Sequence, residues 1–70
     1  MNVTDTALTV AGFDPSGGAG LQADLKTFSA YGINGKSVAT SITIQNTTGV
    51  RDIYDLPWKV VEQQLRTIFE

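Results

Sequence analysis

The stretch VAGFDPSGGAGLQADLKTF, residues 10–28, constrains this chain more than any other. An apolar run leads into it, glycines stand at 17, 18 and 20, and a helical pattern leaves it. Pro15 and the clustered glycines interrupt periodic structure over 14–20, so the segment must read strand, loop, helix. TALTVAGF (6–13) is expected as a buried strand. From about Ala19, the residues Leu21, Leu25 and Phe28 fall at i, i+4 and i+7 on one helical face. Ser16 is a candidate N-cap, and Gly32 a candidate stop after Tyr31.

The remainder extends this unit. SVATSITIQ (37–45) alternates with period two and is rich in β-branched residues, so it predicts a second strand. Val38, Ile42 and Ile44 take one face; Ala39, Ser41, Thr43 and Gln45 take the other. NTTG (46–49) is turn chemistry, and VRDIYDL (50–56) reads as a shorter strand. Pro57 suits the first turn of a last helix, with Trp58, Val61, Leu65 and Ile68 as its apolar stripe. The order β-α-β-β-α predicts an α/β fold with a right-handed parallel crossover between the first two strands. The last helix runs to Glu70 without an end signal, and two helices are too few to cover both faces of such a sheet. Residues 1–70 are therefore expected to be the opening part of one larger α/β domain.

Charge and composition exclude several classes. The 70 residues contain no Cys and no His, so neither a disulfide framework nor a zinc site of the usual His/Cys kind is possible. Lys26, Lys36, Arg51, Lys59 and Arg66 are scattered and the net charge is -2, so no basic stripe matches a nucleic-acid backbone. MNVTDTALTV lacks the positive start of a signal peptide, and no apolar run approaches the roughly 20 residues that span a bilayer. A cytoplasmic protein with no membrane partner is expected.

Two phosphate-binding patterns are approached and neither is met. GAGLQA (18–23) fits a loose dinucleotide fingerprint, but the second strand ends Ile44-Gln45-Asn46, without the carboxylate that grips a ribose. AYGINGKS (30–37) resembles a P-loop, but a helix precedes it and a strand follows, the reverse of the required order. Lys36 then reads as a solvated loop lysine. From pattern alone, the glycines read first as permitting a tight strand-to-helix turn. Asp24 reads first as a surface carboxylate early in the helix. Gln45 lies where ligands of open α/β sheets bind, beyond the carboxyl ends of the strands. Its planar amide pairs a donor with an acceptor and fits a heterocycle edge bearing an amino group beside a ring nitrogen. Capping of its own loop is an equal alternative.

ALTVAGFDPSGGAGLQADLKTFSAYG, followed by SVATSITIQNTTGV, closely resembles the N-terminal part of the hydroxymethylpyrimidine/phosphomethylpyrimidine kinase family of thiamin biosynthesis. The likeness runs from Ala7 to Val50 and more loosely through the last helix. It implies a ribokinase-like three-layer α/β/α fold and ATP-dependent phosphorylation of an aminopyrimidine and its monophosphate. It implies that Gln45 holds the pyrimidine edge and that Thr43 assists through its main chain. Gly12 and Ala19 would line the ring, with Asp24 at the edge of the site. The glycines would then bring the first loop close to the pyrimidine. ATP and Mg2+ would bind outside this chain, whose sequence lacks the family's Gly-Thr-Gly anion hole, so the chain alone is expected to be inactive. The full-length enzyme is expected to be a homo-oligomer. Phe13 stands where the family commonly has Thr, and Thr43 where it has an aliphatic residue. The alternatives are a pyridoxine or pyridoxal kinase of the same superfamily, and a non-catalytic module that binds a protein partner.

Overall fold

The computed structural model describes residues 5–70. The expected order is observed: β1 (Thr6–Phe13), α1 (Gly20–Ala30), β2 (Asn34–Asn46), β3 (Gly49–Asp55) and α2 (Trp58–Ile68). The three strands form one mixed sheet in the order β1-β2-β3. β1 and β2 are parallel and in register from Thr6↔Asn34 to Ala11↔Ala39. β2 and β3 form an antiparallel hairpin, from Ser41↔Asp55 to Asn46↔Gly49.

β2 begins three residues earlier than its alternation predicts, because β1 supplies a ladder back to Asn34. Gly35 and Lys36 are therefore strand residues, and Lys36 is not in a loop. A Cβ at Gly35 would lie 2.7 Å from Leu25 and 3.0 Å from Phe28. The bare backbone there lets the apolar face of α1 rest on the strand.

A bulge revises the expected faces of β2. The pairs Ala11↔Ala39 and Phe13↔Ile42 span two steps on β1 but three on β2. One extra residue reverses the side on which all later side chains emerge. Val38 and Ile42 consequently do not share a face. Ser41 and Thr43 join the face of Gly12, where a Cβ would meet their hydroxyls at 2.8 and 3.5 Å.

The helix ends also differ from expectation in part. α1 is not capped by Ser16: its N-cap is Ala19, which makes no side-chain cap bond. At the other end Gly32 acts as expected, with φ of 72°. Its amide donates to the Ser29 carbonyl and the Ile33 amide to the Phe28 carbonyl, a complete Schellman stop. Pro57 is the N-cap of α2 rather than its first helical residue, and the helix ends at Ile68 with Phe69 as C-cap. Val61, Leu65 and Ile68 are half-buried, but Trp58 is 69% exposed and lies outside the packed stripe.

The core is small. α1 packs on β1 and β2, and α2 on β2. Leu21 and Val38 are the buried apolar side chains among the described residues, and Val38 has no exposed surface. Thr9 and Asp14 are buried with them. The Cα extents, 43 × 29 × 10 Å, are those of a thin slab. No helix among the described residues is long and apolar enough to cross a membrane.

Candidate substrate-binding site

The carboxyl ends of β1 and β2 lie side by side, and the loop 14–19 crosses from β1 to α1 beside them. In open α/β sheets this is where a ligand crevice forms. The loop is built around one carboxylate. Asp14 is 2% exposed. Its Oδ1 accepts from the Ser16 amide at 2.9 Å and the Ser16 hydroxyl at 2.7 Å. Its Oδ2 accepts from the amides of Gly18 at 3.0 Å and Ala19 at 2.9 Å. Burial pushes the Asp14 carboxyl up. The Ser16 hydroxyl and amide, the Gln45 side chain and the Ala19 amide outweigh that and hold its pKa below the usual carboxylate value.

The main chain of Asp14 is held as well. Its amide donates to Gln22 Oε1 at 2.9 Å, and Gln22 Nε2 donates to its carbonyl. Gln22 thereby ties the end of β1 to the first turn of α1. Gly20 completes the join. Its φ is +63°, and a Cβ there would fall 2.2 Å from the Gly12 carbonyl oxygen, so no larger residue fits.

These contacts decide what the glycine-rich loop can hold. An anion cradle needs free amides at a helix N-terminus. Here the Gly18 and Ala19 amides already serve the Asp14 carboxylate, which also places negative charge where a phosphate would sit. The described residues contain no group of three or more His, Cys, Asp or Glu able to hold a metal ion. The Gly18 and Ala19 amides are not free to cradle a phosphate.

The expected site residues divide into two groups. Gly12, Ala19 and Thr43 gather near the strand ends, Gly12 beside Ser41 and Thr43 and Ala19 with its amide on Asp14, and Gln45 follows two residues after Thr43 at the end of β2. Ser41 Oγ takes up the space that Gly12 leaves open. Asp24 is placed differently, as its Oδ2 accepts the hydroxyl of buried Thr9 at 2.6 Å. That bond anchors α1 to the middle of β1. Asp14 and Ser41 complete the group and were not expected from the sequence. A signal for Asp14 existed, since Asp followed two residues later by Ser is Asx-turn chemistry.

Comparison with known proteins shows what this arrangement belongs to. A sequence model described as phosphomethylpyrimidine kinase matches residues 14–70. The chain belongs to the phosphomethylpyrimidine kinase family. A family relative from Escherichia coli, a hydroxymethylpyrimidine/phosphomethylpyrimidine kinase, is 57% identical over 63 residues, 90% of this chain and 24% of its own length. The crystal structure of a phosphomethylpyrimidine kinase from Clostridium difficile superposes with a TM-score of 0.89 at 55% identity, over 94% of this chain and 29% of that one. A pyridoxal kinase from Staphylococcus aureus, solved in complex with AMP-PCP and pyridoxal, superposes with a TM-score of 0.84 at 40% identity, over 96% of this chain and 25% of that one. The chain thus spans about a quarter of the length of the curated relatives it matches.

Proposed function

We propose that residues 1–70 form the N-terminal part of a single kinase domain and supply the part of its pocket that grips the pyrimidine ring. The reaction is ATP-dependent phosphorylation of 4-amino-5-hydroxymethyl-2-methylpyrimidine and of its monophosphate. The observation that carries this reading is the grouping of Gln45, Ala19, Gly12 and Thr43 at the strand ends around a loop whose amides are already occupied. Such a site can read a flat polar ring edge and offers nothing to a nucleotide phosphate. Gln45 would meet the ring nitrogen and the adjacent amino group. The hydroxymethyl group, on the next ring carbon, is then left free of the amide and available to a phosphoryl donor. The Gly12 and Ala19 backbones would approach the ring, and Thr43 would contribute main-chain groups beside them. ATP supplies the phosphoryl group and magnesium its charge neutralisation, held by parts of the protein outside this segment.

Pyridoxal phosphorylation is the second reading, favoured by the likeness to the Staphylococcus aureus pyridoxal kinase. The two are separated by assaying the natural gene product that contains this segment, with ATP and either the aminopyrimidine or pyridoxal. A higher kcat/KM for the aminopyrimidine is expected; a higher value for pyridoxal overturns the first reading. Cytoplasmic location and a homo-oligomeric state belong to the same proposal. Sedimentation of that gene product tests the oligomer.

A further inference from the structure

We propose that Gln22 is a positioning residue for the substrate pocket: it locks the end of β1 to the start of α1, so that Gly12 and Ala19 keep the spacing that receives the pyrimidine ring. This rests on the reading of Gly12 and Ala19 as ring-lining residues. Gln22 acts through the main chain of Asp14 and not on the substrate.

The two ring-lining residues stand on opposite sides of the join. Gly12 lies in β1, two residues before Asp14, and Ala19 is the N-cap of α1, three residues before Gln22. Their elements approach closely, since a Cβ at Gly20 would fall 2.2 Å from the Gly12 carbonyl oxygen. Close approach alone does not fix how the helix start is turned against the strand end. A pair of hydrogen bonds does. Half-buried Gln22 accepts the Asp14 amide on Oε1 at 2.9 Å and donates from Nε2 to the Asp14 carbonyl. Two bonds from one planar group to one residue set distance and rotation together. The same carbonyl accepts the Gly17 amide at 2.9 Å, and the Asp14 carboxylate accepts from Ser16, Gly18 and Ala19. Asp14 is thus the hub of the loop, and Gln22 fastens that hub to the helix.

The residue type is narrowly set. Gln carries a donor and an acceptor side by side. Ionised Glu only accepts, and Asn is one methylene shorter. A wall held in place before the ring arrives needs no ordering when it binds, which favours affinity. Without Gln22 the strand end and the helix start must be brought together by the ring itself. The loss falls on aminopyrimidine binding, and the nucleotide, held elsewhere in the protein, is untouched.

Steady-state kinetics with ATP and the aminopyrimidine, on the natural gene product containing this segment, test the proposal. Gln22→Met keeps the length of the side chain and removes both bonds. It is expected to raise the KM for the aminopyrimidine by about 10–100-fold, the scale of a misplaced pocket wall. The KM for ATP and kcat should stay within about twofold of wild type, since binding is lost and not the reacting step. Partial unfolding alone would lower kcat through the active fraction and leave both KM values in place. Lys26→Met, which removes only the exposed bond from Lys26 Nζ to the Gly17 carbonyl at 3.2 Å, should leave all three constants unchanged. Where Gln22→Met does not fold, Gln22→Glu serves, since its carboxylate still accepts the Asp14 amide but cannot donate to the carbonyl; the same KM alone should rise. A wild-type KM for the aminopyrimidine in the variant, or an equal rise in both KM values, overturns the role of Gln22 and leaves the kinase reading intact. A wild type that does not phosphorylate the aminopyrimidine overturns both.

Discussion

Gln64 of α2 closes the edge of β2 at Ala39: its Oε1 accepts the Ala39 amide at 2.9 Å and its Nε2 donates to the Ala39 carbonyl at 2.8 Å. β3 pairs with β2 only from Ser41 onward, and the Leu56 amide takes the Thr40 carbonyl at 3.0 Å. Pro57 then turns the chain into α2. Ala39 comes next along the edge, and a side-chain amide takes the place of a neighbouring strand. Buried backbone groups left without partners carry a desolvation cost, which is why a polar residue sits in the packed face of this helix.

Gln64→Ala should therefore destabilise the fold by about 1–3 kcal/mol, because it strands two backbone groups rather than removing one surface contact. Gln64→Glu keeps the acceptor but sets a charged oxygen against the Ala39 carbonyl, so its cost should be at least as large. Urea unfolding of the natural gene product measures both. Hydrogen exchange at the Ala39 amide should accelerate in the Ala variant. Unchanged exchange there would mean that another group protects the edge.

The position of Gln64 was legible in principle and its role was not. Val61, Gln64, Leu65 and Ile68 lie at i, i+3, i+4 and i+7, so a polar residue stands within an apolar stripe. Periodicity sees that as a gap, and only the packed sheet shows a backbone for it to meet. The same limit applies to β2. Its apolar alternation marks a strand, but one extra residue at the bulge is invisible to a period-two pattern. The faces assigned to Val38 and Ile42 were consequently wrong, while Ser41 and Thr43 do share one. Element order and the Gly32 stop were readable because each depends on a few adjacent residues. Ser16 misled as a cap because Asp14, five residues before Ala19, takes the loop amides first.

Glycine substitutions should separate steric from conformational cost. Gly32→Ala has open space around it and meets only the left-handed backbone, at about 1–2 kcal/mol. Gly20→Ala carries the same backbone cost and also drives a Cβ into the Gly12 carbonyl. Its loss of stability should exceed that of Gly32→Ala clearly, read as the difference in urea midpoints. Equal losses would show that the β1–α1 join can relax.

Asp14 should give the fold a specific acid sensitivity. Its folded pKa is depressed, so its contribution is present above the unfolded value, about 3.9, and is lost as pH falls through the folded one. Asp14→Asn should be less stable than the wild type at neutral pH. The gap between them should narrow as pH is lowered from about 5 toward 2. A gap independent of pH would mean that the carboxylate charge contributes nothing.

The isolated 70-residue polypeptide should lack kinase activity and should self-associate or unfold without a sharp transition. Two buried apolar side chains among the described residues are a slight core, while Ile53, Tyr54 and Trp58 are exposed. Sheet edges with unpaired backbone groups template association. Sedimentation and urea unfolding at several concentrations test this; a monomer with a sharp, concentration-independent transition would favour an independent module.

The central claim is that this segment reads the pyrimidine and leaves the nucleotide to other parts of the protein. Calorimetric titration of Gln45→Ala against the wild type, in the natural gene product, tests it directly. The account predicts that aminopyrimidine binding weakens by about 1–3 kcal/mol, the loss of a two-point amide contact, with ATP affinity unchanged. Weakened ATP binding with the aminopyrimidine affinity intact would contradict it.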